Sequence, residues 1–69
     1  MSEHVYAVSE IVGSSPETVE AAIQNALARA RKTVRHLGWF EVIQVRGSVQ
    51  DEKACRYQVT LKAGFTLES

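Results

Sequence analysis

Apolar residues recur along this chain with two different periods. Near the C-terminus the period is two. Cys55, Tyr57, Val59, Leu61, Ala63, Phe65 and Leu67 alternate with Arg56, Gln58, Thr60, Lys62, Gly64 and Thr66. Such alternation predicts a strand, about 54–67, in an antiparallel sheet with one face on a core. In the middle of the chain Val19, Ala22, Ile23, Ala26, Leu27, Ala30, Val34 and Leu37 follow the i, i+3, i+4, i+7 spacing of one helix face. Val5, Tyr6, Val8, Ile11 and Val12 supply the β-branched and aromatic residues of a first strand, about 4–12. A further strand, about 39–50, alternates badly. Trp39, Ile43, Val45 and Val49 have one parity, and Phe40 and Val42 the other.

Punctuation between these segments sets their limits. Gly13-Ser14-Ser15 breaks the first strand. Ser15 is suited to cap a helix, Pro16 to open it, and Glu17 and Glu20 to complement the positive end of its dipole. Gly38 suits the left-handed stop at the other end. The predicted helix therefore runs over about 16–37, roughly 33 Å at 1.5 Å per residue. Its alanine-rich stripe allows a close approach to whatever it packs on. Asp51-Glu52-Lys53 forms the polar turn between the last two strands. The element order is β-α-β-β, which makes an α+β domain with a three-stranded antiparallel sheet along one helix, a single domain over 1–69.

Length limits what this domain does alone. A chain of 69 residues buries only about 60% of its unfolded surface. Cys55 is the only cysteine, so an intrachain disulfide is excluded, and one Cys with two His (His4, His36) makes no zinc site. Oligomerisation is the expected source of extra stability, with a well-packed monomer as the alternative, since many domains of this size fold alone. The strand with two apolar faces points the same way, because one helix covers only one face of a sheet. Eight basic and eight acidic residues balance, which argues against a generic nucleic-acid binder. The chain has no apolar run long enough to span a membrane and its first residues do not read as a signal peptide. A cytoplasmic protein with a reduced cysteine is the expectation.

Catalytic groups are sparse. Cys55 falls on the apolar parity of its strand and reads as a buried structural residue. His36 ends a basic helix, where it complements the dipole. No general acid or base stands beside a recognisable site, so an enzyme is not expected. Three residues invite a binding role instead. Trp39, the only tryptophan, is either a core or interface anchor or a flat platform for a heteroaromatic ligand. The Gln58 amide either meets water or matches a ring edge that alternates C=O and N–H. Arg46 pairs either with a phosphate or with a carboxylate across an interface. With a two-residue turn Trp39 opposes Gly64, Glu41 opposes Lys62 and Val45 opposes Gln58. Trp39 and Gln58 then share a face and Arg46 points away. With a three-residue turn Arg46 opposes Gln58 and Trp39 changes face, since a one-residue slip inverts every side chain. The first register is expected, subject to any bulge.

Several separated segments resemble one family. Val8-Ser9-Glu10-Ile11-Val12-Gly13-Ser14-Ser15 precedes the helix, and Ala28-Arg29-Ala30-Arg31-Lys32-Thr33-Val34-Arg35-His36-Leu37 closes it. Trp39-Phe40-Glu41-Val42, Arg46-Gly47 and Tyr57-Gln58-Val59-Thr60-Leu61-Lys62-Ala63-Gly64-Phe65 follow. Together they resemble the dodecins, over nearly the whole chain. The resemblance implies a β-α-β-β subunit that assembles into a hollow, roughly spherical dodecamer. It implies stacked flavins (FMN, riboflavin or a related flavin) held between symmetry-related tryptophans for storage and sequestration. On this resemblance Trp39 is the stacking tryptophan, Gln58 bonds the isoalloxazine edge and Arg46 lies near the flavin. Some family members also bind coenzyme A, for which the basic helix end is the candidate place. Two positions depart from the pattern. Gly38 stands where an acidic residue often precedes the tryptophan, and Thr66 where an arginine is common. The second change removes one candidate grip on a flavin phosphate and leaves FMN against riboflavin open.

Overall fold

The computed structural model describes residues 5–67. Strand β1 (Val5–Ser15) leads into helix α1 (Val19–Ala30), and strands β2 (Leu37–Gln50) and β3 (Lys53–Leu67) complete the chain. The expected strand start at His4 lies outside the described residues. The sheet order is β1-β3-β2, antiparallel throughout, so β3 is the central strand. The architecture is the β-α-β-β subunit that the hydrophobic periods predict.

The first strand is longer than expected and the helix shorter. Gly13, Ser14 and Ser15 do not break β1. They stay in the ladder opposite Val59, Gln58 and Tyr57. Gly13 is there for packing: an added Cβ would collide with the Ala22 carbonyl and come within 2.7 Å of Ala26 Cβ. The helix backbone crosses β1 at this point, and only a glycine admits it. Asn25 Nδ2 donates to the Ser14 carbonyl at 2.9 Å and ties the two elements together.

Ser15 is not the helix cap. It is buried in β1, and its hydroxyl accepts from the Glu17 N–H at 3.0 Å. Thr18 takes the cap, with extended φ and ψ of −148° and 161° and Oγ1 accepting from Ala21 N–H at 2.9 Å. The ladder claims Ser15, so the helix begins three residues later than the Ser-Pro signal suggests.

At its other end α1 stops at Ala30 rather than Leu37. Thr33 donates its hydroxyl to the Ala30 carbonyl at 3.3 Å, beside backbone bonds from Thr33 and Val34 to the same oxygen. The chain then turns over, and His36, with φ 61°, takes the left-handed conformation expected of Gly38. The sheet decides this. Leu37 pairs with Phe65, and the Thr66 N–H bonds the His36 carbonyl at 3.1 Å, so residues beyond His36 belong to β2. Gly38 lies within β2 without a positive φ.

Twelve helical residues span about 18 Å, whereas the two long strands of 14 and 15 residues reach roughly 46–50 Å. The hairpin therefore extends far past the helix, and the molecule measures 57 × 20 × 13 Å. The core is small: Ala22 and Ala26 from α1 meet Val59, Leu61 and Ala63 from β3, flanked by Ile11, Val19, Ile23, Leu27 and Leu37. Helix α1 packs on β1 and β3 and leaves β2 largely uncovered. Phe40, Val42 and Val45, which share the helix-side face with Ala63, Leu61 and Val59, are accordingly exposed.

Candidate functional site

The site residues lie on the other sheet face, which carries no helix. Its layout depends on the β2–β3 register. Asp51 and Glu52, with φ of 54° and 65°, form a two-residue turn, and Gln50 opposes Lys53. Two positive φ values in succession match the right-handed twist of a hairpin. At the far end Trp39 opposes Gly64 and Glu41 opposes Lys62, as expected for that turn.

Between these ends the register slips by one residue and slips back. Cys55 is skipped between the pairs Ser48–Arg56 and Val49–Ala54, and Ile43 is skipped between Val42–Leu61 and Gln44–Thr60. The two bulges compensate. The expected Val45–Gln58 pair is replaced by Val45–Val59, and Arg46 opposes Gln58. Arg46 therefore does not point away from Trp39. The Ile43 bulge resets the alternation, and Trp39, Arg46, Gln58 and Gly64 all occupy one face. The Cys55 bulge has a second effect. Cys55 is exposed rather than buried, with Sγ 3.4 Å from Gln50 Oε1.

Trp39 occupies the third position of β2 and its indole lies across Gly64. A Cβ at position 64 would overlap the ring at Cε2 and Cζ2 and come within 2.5 Å of Nε1. The glycine is a seat for the ring and is itself buried beneath it. Trp39 keeps 41% of its surface exposed, and its neighbours on the same face include Val8, directly across from Gly64 on β1, and Tyr6. The result is a supported indole on an open apolar surface, the arrangement a flat ring system needs in order to stack. A side chain at 64 would fill the space that the indole uses.

Gln58 and Arg46 form a second station on that face. Arg46 Nε donates to Gln58 Oε1 at 3.2 Å. The bond fixes the amide orientation and leaves the Gln58 NH₂ to donate outward. Gln58 and Gly64 are six residues apart on β3, about 20 Å at strand rise. The sheet thus brings Arg46 and Gln58 together and keeps both distant from Trp39 of the same chain. Among the described residues no group of three or more His, Cys, Asp or Glu could hold a metal ion. A separate cavity of about 480 Å³ opens between α1 and the helix-side face, with Asn25, Arg29, Thr33 and Phe65 in its wall.

The subunit belongs to the class of small β-α-β-β proteins whose long hairpin outreaches its single helix. The family model described as Dodecin matches residues 5–68, and the chain belongs to the dodecin family. It is 58% identical over 64 residues to a dodecin of Thermus thermophilus, covering 93% of both chains. A crystal structure of the T. thermophilus protein tt0972 superposes with a TM-score of 0.92 at 55% identity, covering 97% of this chain and 98% of the other. Dodecin from Streptomyces davaonensis gives the same TM-score at 48% identity over 99% of this chain and all of the other. No described helix is long and apolar enough to cross a membrane.

Proposed function

We propose that this chain is a non-enzymatic flavin-binding protein for storage and sequestration. It works as a closed homo-oligomer, a dodecamer on the family pattern, in the cytoplasm. The observation that carries this reading is the Trp39 indole seated on Gly64, half exposed on an apolar sheet face. In the proposed site Trp39 stacks on FMN or riboflavin, the Gln58 amide bonds the ring edge, and Arg46 holds that amide in place. The separation of roughly 20 Å between the Trp39 and Gln58 stations exceeds the reach of one tricyclic ring. It supports a site in which Trp39 of one subunit meets Gln58 of another. Bound flavin supplies a photoexcitable, redox-active ring, and contact with an electron-rich indole deactivates its excited state. Coenzyme A is a candidate second ligand, for which Arg29 and the basic segment after α1 offer charge.

The expected result is loss of FMN or riboflavin fluorescence on titration with the purified protein. Trp39→Ala should restore emission and weaken binding by about 5- to 150-fold, about 1–3 kcal/mol for one lost base-like stack. Unchanged flavin emission at large excess of the wild type would sink the proposal.

A second reading, a structural oligomer without a small ligand, draws on Phe40, Val42 and Val45, which need covering whatever Trp39 does. Mass determination with simultaneous visible absorbance separates the two. An assembled, colourless protein that takes up no added flavin selects the second.

A further inference from the structure

The middle of the hairpin has two registers open to it. As described, Gln44–Ser48 lies one residue out of step with the pairs on either side, and the extra residues Ile43 and Cys55 absorb the difference. Each bulge leaves a residue outside the ladder. Sliding this stretch by one residue removes both bulges at once. Ile43 then opposes Thr60, Gln44 opposes Val59, Val45 opposes Gln58, Arg46 opposes Tyr57 and Gly47 opposes Arg56. These pairs are in step with Val42–Leu61 on one side and Val49–Ala54 on the other.

Burial within one chain does not choose between the registers. Every residue of β2 after Leu37 is exposed, so the slip exchanges one exposed set for another. One side-chain hydrogen bond joins the strands along the stretch, from Arg46 Nε to Gln58 Oε1 at 3.2 Å, and it is itself exposed. A single exposed bond is a small term beside two breaks in the ladder. The registers differ in the apolar strip that they build. In the described register Val45 continues Phe40 and Val42 along the helix-side face, beside Val59, Leu61 and Ala63. In the slipped register Gln44 and Arg46 turn to that face, Val45 leaves it, and the strip ends at Val42. Gln58 then loses its arginine.

We infer that the stretch Gln44–Ser48 is a two-register switch. A second copy of this chain covering Phe40, Val42 and Val45 selects the described register, and the isolated subunit populates the slipped one. The selection follows from differential burial, since a partner removes more apolar surface from water in the described register. Assembly then sets the Arg46–Gln58 bond, so the polar station is complete only where subunits meet. This rests on the closed homo-oligomer proposed above for what selects the register, and on the flavin reading only for what the Gln58 amide does.

Intrachain disulfide trapping with diamide reads the register in chains that carry Cys55→Ser. Gln44→Cys with Thr60→Cys closes in the described register, and Val45→Cys with Gln58→Cys in the slipped one. In the other register each pair stands on opposite faces. Closure rates are followed over a dilution series, with assembly measured by sedimentation, and in Phe40→Asp chains. The slipped pair should close about tenfold faster in subunits than in the assembled protein, while the described pair closes in both. Deleting both Ile43 and Cys55 leaves the described pairs in an unbroken ladder. The slipped pair should then stay open at every concentration, and flavin quenching should persist to about tenfold lower protein concentration than in wild type. A slipped pair that closes in neither subunits nor assembly overturns the second register, and closure at one rate in both overturns its link to assembly. If the slipped pair never closes while wild type quenches flavin, the switch is refuted and the flavin reading stands. Trapping as expected with no flavin bound by any chain removes the flavin reading and leaves the switch.

Discussion

At the residue scale, the pairing of Trp39 with Gly64 is the most constrained feature of the proposed site. The indole fills the volume of the missing side chain, so even one methyl group must displace it. Gly64→Ala should therefore move the ring off the sheet while the rest of the hairpin pairs as before. The expected signs are a red shift of the single tryptophan's emission, weaker flavin quenching, and an overpacking cost of about 1–3 kcal/mol in thermal unfolding. Emission and quenching identical to wild type would show that the ring does not rest on position 64. Sequence reasoning reached this pair because a two-residue turn puts 39 opposite 64. It chose Gln58 and Arg46 as well, but it put Arg46 on the wrong face and Cys55 in the core. Both errors have one cause, since a bulge leaves no mark in a pattern of apolar and polar residues.

At the element scale, the helix and β1 are held together by small residues. Gly13 meets the Ala22 carbonyl and Ala26, a contact with backbone that cannot rotate away. Gly13→Ala should lower the melting temperature far more than Thr18→Ala. The latter removes one cap bond and costs about 1 kcal/mol, whereas the former forces two elements apart. Thermal unfolding of both variants at one protein concentration checks the order, and equal shifts would contradict it. The alanine stripe correctly announced close approach. The helix ends were misjudged because local signals at Ser15, Pro16 and Gly38 compete with sheet pairing, which holds Ser15 in β1 and pulls Leu37 into β2. Pairing joins residues distant in sequence, so no local window contains it.

At the scale of the whole molecule, a cluster of five buried residues among those described supports a body 57 Å long. Apolar groups remain exposed on both faces: Phe40, Val42 and Val45 on one, Tyr6, Val8, Val12 and Trp39 on the other. The fold order was legible because the two hydrophobic periods differ so clearly. That β2 carries apolar groups on both faces was legible from its poor alternation. How much of them the helix leaves bare was not, because that depends on where the short helix stops. Phe40→Asp places a charge on the uncovered helix-side face. In sedimentation it should reduce a wild-type mass several times that of one chain to smaller species, and a wild type that sediments as one chain would overturn the assembly.

The distance between the two stations on the outer face also has a thermodynamic meaning. In the proposed site a ring too short to touch Trp39 and Gln58 of one chain would find no complete site on an isolated subunit. Uptake is then a property of subunit concentration as much as of ligand concentration, and each bound ring favours the assembled state by mass action. Dilution should empty the store as it takes the container apart, and filling the store should hold the container together.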